Sequence, residues 1–238
     1  MKFIQHAIVV LTLFFATYVS YGQNSNAPLL PASALKPFTS IRVNGDIELT
    51  LVKSDGGENY KIEYDLGDNS ADKFKFSTKP SGELVVSLMR NSRSIDKVKA
   101  TVYYNTINEL NVSFASVKFA STYRQSIADI VLENGASLSG VVNCEDLDVT
   151  LFSDSRLNIT GRSKYLTLRA QSSSKAELRD LNVISARVTS SQGAVVAISV
   201  KERLDVGTAT KSVVKYWGAP TILRVRKSLI GGELIKQE

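Results

Sequence analysis

Histidine, cysteine and tryptophan each occur once in 238 residues, and each scarcity narrows the chemistry open to the chain. The lone histidine, His6, lies in MKFIQHAIVVLTLFFATYVSYGQ. Lys2 gives that stretch a positive start, Ala7 to Val19 is apolar, and Ser20 and Gly22 supply small residues, the layout of a secretory leader over residues 1–22 cut after Gly22. The exported chain then has no imidazole, which excludes Ser-His-Asp and Cys-His nucleophiles and histidine-held metals. Cys144 has no second thiol to pair with and lies far from the cleavage point, so neither an internal disulfide nor a lipid anchor is expected. With no base to activate it, Cys144 reads as a small apolar filler at a corner. The leader's apolar run falls short of the roughly 20 residues a spanning helix needs, so no membrane span is expected after cleavage.

Other absences point the same way. The 29 Lys and Arg outnumber 23 Asp and Glu, but they are scattered, and without a basic stripe interleaved with aromatics no nucleic-acid partner is expected. Gly56-Gly57 and Gly231-Gly232 lack the following Lys-Ser/Thr of a phosphate loop, and no cofactor is expected. Past the leader no segment repeats its apolar residues at the helical period. The fold class is therefore all-β.

What is present is turn chemistry and period-two alternation. Residues 23–37, QNSNAPLLPASALKP, carry three prolines and read as an extended lead-in. From Phe38, FTSIRVNGDIELTLVKS alternates around Asn44-Gly45 as a strand, tight turn and strand of a hairpin would. Further strands follow at YKIEYDL, KFKFST, ELVVSLM and KVKATVYYN, so residues 38–108 form a β-rich N-terminal part.

From residue 109 onwards the pattern becomes periodic. LNV at 110–112, ADI at 128–130, LDV at 147–149, LTL at 166–168, ARV at 186–188, LDV at 204–206 and LRV at 223–225 recur at about 18 to 20 residues. That spacing is the mark of a solenoid, with rungs of about 19 residues over 109–238. Stacking places Val112, Ile130, Val149, Leu168, Val188, Val206 and Val225 in one inward column, with Leu110, Ala128, Leu147, Leu166, Ala186, Leu204 and Leu223 beside it. A second strand keeps step through Leu138, Leu157, Ala176, Val196 and Val214. Between the strands lie small corners: Asn134-Gly135-Ala136, Ser153-Asp154-Ser155, Ser172-Ser173-Ser174, Ser191-Gln192-Gly193 and Thr210-Lys211-Ser212. The outward ladder then reads Asn111, Asp129, Asp148, Thr167, Arg187, Asp205, Arg224. Asp129 above Asp148 stacks like charges, which leaves a solvated face or a cation site as readings, the solvated face being preferred.

The opening FTSIRVNGDIEL, with Phe38, Ile41, Val43, Gly45 and Leu49, the small-residue corners, and the closing Tyr216, Gly218 and Pro220 together resemble the secreted putative auto-transporter adhesin family with the head GIN domain, a domain of unknown function common in Bacteroidetes. The resemblance runs from about Phe38 to the C-terminus. It implies a right-handed parallel β-helix (β-solenoid) with a β-rich N-terminal cap, and no catalytic residues. Asp154, Ser173 and Lys211 stand where the family usually has glycine, so those corners are expected to bend less tightly.

Three candidate sites follow. Asp129, Asp146, Asp148 and Asp154 are the carboxylates on consecutive rungs, but acid and base work needs two converging in a cleft with different environments. Asp65, Asp68, Asn69 and Asp72 lack the spacing and closing glutamate of a calcium loop and read as a polar turn. Trp217 follows inward Tyr216 and so faces outward beside Gly218 and Pro220, where an indole can stack on a sugar or anchor a protein. The expectation is an exported, non-enzymatic envelope protein, periplasmic or at the cell surface. Its binding residues are Trp217, Asp129 and Asp148, its metal sites none, and its partner a glycan or a cell-surface protein. The alternative is a scaffold that self-associates into a homo-oligomer through open ends. A polysaccharide lyase or hydrolase is the weaker alternative.

Overall fold

The computed structural model describes residues 32–54, 59–89, 97–226 and 230–238. The expected leader and most of the lead-in lie outside them. Among the described residues there is no helix; all regular structure is strand. β1 (Ala32–Ala34), β2 (Ser40–Asn44) and β3 (Ile47–Lys53) are followed by β4 (Lys61–Asp65), β5 (Phe74–Thr78), β6 (Glu83–Leu88) and β7 (Val98–Tyr104). Next come β8 (Glu109–Ser113), β9 (Ser116–Phe119), β10 (Tyr123–Glu133), β11 (Ser137–Leu151), β12 (Arg156–Ala170) and β13 (Lys175–Ser190). β14 (Val195–Thr208), β15 (Val213–Trp217), β16 (Ile222–Val225) and β17 (Glu233–Lys236) complete the chain.

Parallel pairing stacks these strands as a β-solenoid. One side runs β6, β2, β8, β10, β11, β12, β13, β14, β16, and a second runs β7, β3, β9, β11, β12, β13, β14, β15, β17. A third side appears in the middle rungs, where Gln125, Cys144, Ser163 and Val183 stack in register. β11 to β14 are long because each wraps around more than one side. The inward columns are dry: Ile130, Val149, Leu168, Val188 and Val206 are all fully buried. A short strand alone could not bury both of its flanks, so each rung is stable only between its neighbours.

The N-terminal part departs from its sequence reading in two ways. Asn44-Gly45 is not a hairpin turn, because β2 and β3 pair with β6 and β8, and with β7 and β9, rather than with each other. Gly45, at φ +111°, turns the chain between two sides of one rung, and a Cβ there would collide with the carbonyl oxygen of Leu88 in the rung beneath. The solenoid also does not start at residue 109. The rung made of β2 and β3 sits between the rung of β8 and β9 above and that of β6 and β7 below, although β6 and β7 come later in the chain. β4 and β5 then close this end by antiparallel pairing on β7 and β6, with Tyr64, Phe74 and Phe76 packed ring on ring at 5.1–5.8 Å.

Two further corrections concern the repeats. Leu110 pairs with Ile130 and Val112 with Leu132, so the first outward step is Glu109 beside Asp129 and not Asn111. A slip of two residues keeps every side chain on its own face, which is why alternation alone did not show it. The corners without glycine are bent as tightly as those with it. Asn134 and Gly135 have φ +57° and +74°, Gln192 and Gly193 +54° and +73°, while Ser153 and Asp154 have +48° and +62°, Ser172 and Ser173 +52° and +61°, and Thr210 and Lys211 +49° and +58°. Each is a two-residue left-handed turn closed by a bond such as Ser174 N–H to Gln171 C=O at 3.2 Å. Consecutive corners are also tied: Asp154 N–H donates to Ser172 C=O, and Ser173 N–H to Gln192 C=O, both at 2.9 Å. Bonds to the neighbouring rung hold non-glycine residues in a conformation that L side chains disfavour.

Candidate functional site

The acidic ladder is a chain of neighbours rather than a cleft. Glu109, Asp129 and Asp148 lie in register on three successive rungs. Arg169 donates to Asp148 at 2.6 Å and satisfies it from the adjacent rung. Among the described residues Asp129 has no such partner, and its carboxyl is held above the usual range by partial desolvation first, then by Asp148 and Glu109, with Arg169 opposing. Asp146 is on the same outward face, between Ile127 and Tyr165, whereas Asp154 sits in a corner. The four carboxylates therefore do not converge on one point. Among the described residues no group of three His, Cys, Asp or Glu is disposed to hold a metal ion. Further along the ladder Asp205 lies in register with Arg187 and Arg224, yet its salt bridge is to Arg203 on its own strand, at 2.9 Å.

Two other sequence candidates resolve simply. Cys144 is buried, and desolvation pushes its thiol up to about 11, so it packs rather than attacks. In the Asp65 to Asp72 loop, Asn69 is buried and donates from Nδ2 to Leu66 C=O at 2.9 Å, while Asp65 accepts from Gly67 N–H at 3.0 Å. Those bonds shape a tight polar turn.

Trp217 has a more developed setting. It is half-buried, and the Arg179 guanidinium stands 4.9 Å from its ring centre. A cation over an indole is worth roughly 0.5–2 kcal/mol, more when shielded from water. In register Trp217 neighbours Ser199, and Ser199 neighbours Asn182. Ser199 and Asn182 line an open groove of about 430 Å³, floored by Val183 and Val200 and bounded by Lys201 and by Gly218-Ala219. Both valines are buried.

The groove has a local cause in chain length. Leu178 pairs with Ile198 and Asn182 with Ser199, so β13 carries Arg179, Asp180 and Leu181 where β14 carries nothing. The shorter rung steps inward and leaves the hollow, while the three extra residues bring Arg179 over Trp217. Gly218, at φ +99°, forms the far wall by lying against the Val200 carbonyl oxygen, where a Cβ would collide. The groove thus offers an amide, a hydroxyl and an ammonium around an apolar floor, groups suited to holding a polar ligand with apolar faces, and Trp217 adjoins it in register with Ser199 and next in sequence to Gly218. Alternation pointed to Trp217 but not to Arg179, Asn182, Ser199 or Lys201. Their signal was the repeat spacing, which lengthens to 20 between Leu166 and Ala186 and shortens to 18 between Ala186 and Leu204.

Comparison with known proteins agrees with the fold. A crystal structure of a putative adhesin from Bacteroides fragilis superposes with a TM-score of 0.76 at 19% identity, covering 87% of this chain and 95% of that one. A putative adhesin from Parabacteroides merdae gives 0.66 at 13% identity, covering 88% and 95%. A putative lipid binding protein from Parabacteroides distasonis gives 0.64 at 14%, covering 88% and 96%. At such identities the likeness establishes the solenoid fold alone. No curated protein matches the chain. The family model described as putative auto-transporter adhesin, head GIN domain, matches residues 37–220, and the chain belongs to that family.

Proposed function

We propose that the protein is exported to the cell envelope and acts there without catalysis, as an adhesin that takes a glycan in the groove beside Trp217. The observation that carries this reading is a groove lined by Asn182, Ser199 and Lys201 over the buried Val183 and Val200, with Trp217 adjoining it in register with Ser199. Sugars present an apolar C–H face and a rim of hydroxyls, and that combination matches amide, hydroxyl and ammonium groups around an apolar floor with a tryptophan adjoining. Family membership supports a surface-binding role, and the leader reading supports export. The separated carboxylates and the buried thiol favour binding over a lyase or hydrolase mechanism, which needs converging groups of different pKa.

The test is a glycan array probed with the wild-type protein and with Trp217→Ala and Lys201→Ala. Retention on a defined set of glycans, lost in Trp217→Ala and weakened in Lys201→Ala, is the expected result. Retention unchanged by both substitutions would remove the groove from the function, and turnover of any array polysaccharide would overturn the non-enzymatic reading.

A further inference from the structure

The two ends of the solenoid are finished differently. At the N-terminal end the outermost rung is covered by β4 and β5, and its inward residues Leu84, Val86, Val98 and Val102 are fully buried. At the C-terminal end, among the described residues, β16 pairs only with β14 and β17 only with β15, so the outer edges of both strands carry no described strand. Leu223 and Val225 continue the columns of Leu204 and Val206, which are fully buried, yet they are 42% and 55% exposed. Ile222 beside them is 43% exposed. Unpaired strand edges with bare apolar side chains seek another strand.

We propose that this end is the interface of a two-fold dimer with a second copy of the chain, joined C-terminal end to C-terminal end. Two open edges on adjacent sides of one rung need a partner offering two edges with the same geometry, which a single peptide strand does not have. The chain's other end is closed by antiparallel strands, so stacking head to tail is blocked. The chain's first described strand is engaged elsewhere: β1 pairs with β4 at the opposite end.

Facing two solenoids end to end reverses the strand direction across the junction, so the new pairing is antiparallel. A two-fold axis that lays β16 on the partner's β17 makes both junctions equivalent. The register that sets Leu223 opposite the partner's Leu234 also sets Ile222 opposite the partner's Ile235 and Arg224 opposite the partner's Glu233. Leu223, Leu234 and their neighbours on each strand alternate inward and outward in the same phase, so apolar meets apolar and cation meets anion in one alignment, twice per dimer.

The experiment is sedimentation equilibrium of the exported protein across a concentration series, with Arg224→Glu, Glu233→Arg and the double variant. The wild type is expected to reach twice the single-chain mass and stop. Each single variant, placing like charges opposite one another at both junctions, is expected to raise the dissociation midpoint at least about tenfold, and the charge-swapped double variant to restore it. Arg224 and Glu233 are exposed, so the single chain keeps its fold, and an unchanged urea midpoint for the separated chains verifies this. A single-chain mass at every concentration, a double variant as weak as the single ones, or a mass that climbs past two copies would each overturn the proposal.

Discussion

Relieving the left-handed corners is the perturbation whose size the structure sets most directly. Ser173 and Lys211 hold φ +61° and +58° at the second corner position, where Gly135 and Gly193 stand in sister rungs. Both are exposed at the corner surface. Glycine removes a left-handed penalty of about 1–2 kcal/mol and adds unfolded-state freedom of about 0.5–1 kcal/mol. The net gain is about 0.5–1 kcal/mol per site. Ser173 and Lys211 are two rungs apart, roughly 9–10 Å, far enough to add. Ser173→Gly/Lys211→Gly is therefore expected to stabilise by about 1–2 kcal/mol, read as a rise in urea midpoint at constant m. Asp154→Gly gains less, because aspartate tolerates this conformation better than serine or lysine. The reciprocal change, Gly135→Ala, meets no atom within 4 Å and pays backbone strain alone, so it is expected to lower stability by a similar amount. A double variant no more stable than wild type, together with a harmless Gly135→Ala, would refute the idea that the corners store strain.

Two further predictions concern buried polar groups and charge. Ala136, Ser155, Ser174, Ala194 and Ser212 occupy equivalent corner positions, all fully buried. Among the described residues the hydroxyls of Ser155 and Ser174 have no hydrogen-bond partner, whereas Ser212 Oγ donates to Ser190 C=O at 2.8 Å and accepts from Ala209 N–H at 3.2 Å. Ser174→Ala is accordingly expected to stabilise by about 1 kcal/mol and Ser212→Ala to destabilise by about 1–2 kcal/mol in the same titration; an equal shift for both would contradict the hydrogen-bond reading. Asp129 carries a raised carboxyl facing Glu109 and Asp148, so its ionisation opposes folding: the penalty is complete above its folded pKa and disappears as pH falls to the ordinary 3.8. Asp129→Asn should raise the urea midpoint at pH 7 and leave it unchanged below pH 3.8, and an equal gain at both would show that charge is not the cause.

The rungs were legible from residue 128 onwards because three signals coincide there: apolar residues at i and i+2, a short corner of small or turn-forming residues, and a second alternating strand, all at one period. Each is local, and together they place Val149 on Leu168 and Leu157 on Ala176. Cys144 as packing and Asp65–Asp72 as a turn were legible for the same reason, since both rest on chemistry within a few residues. Residues 40–104 hold no such period, because β4 and β5 interrupt it, and alternation says which face a side chain takes without saying which strand lies next to it. Glu109 replacing Asn111 in the ladder is the same ambiguity at smaller scale.

The groove belongs to a further level. Trp217 was visible as an outward aromatic, but Arg179 reaches it from β13, two rungs away across β14, and the hollow exists only because β14 is three residues shorter than β13 at that corner. From the sequence alone came the all-β solenoid, its inward columns and the places of its corners, each a consequence of periodicity and backbone preference acting over a few residues. Only the tertiary structure decided that a later rung slides beneath an earlier one, that one end is closed and the other open, and that Arg179 stands over Trp217. Those outcomes depend on pairing between distant strands, which the free energy of burial selects across the whole stack and no short stretch of residues encodes.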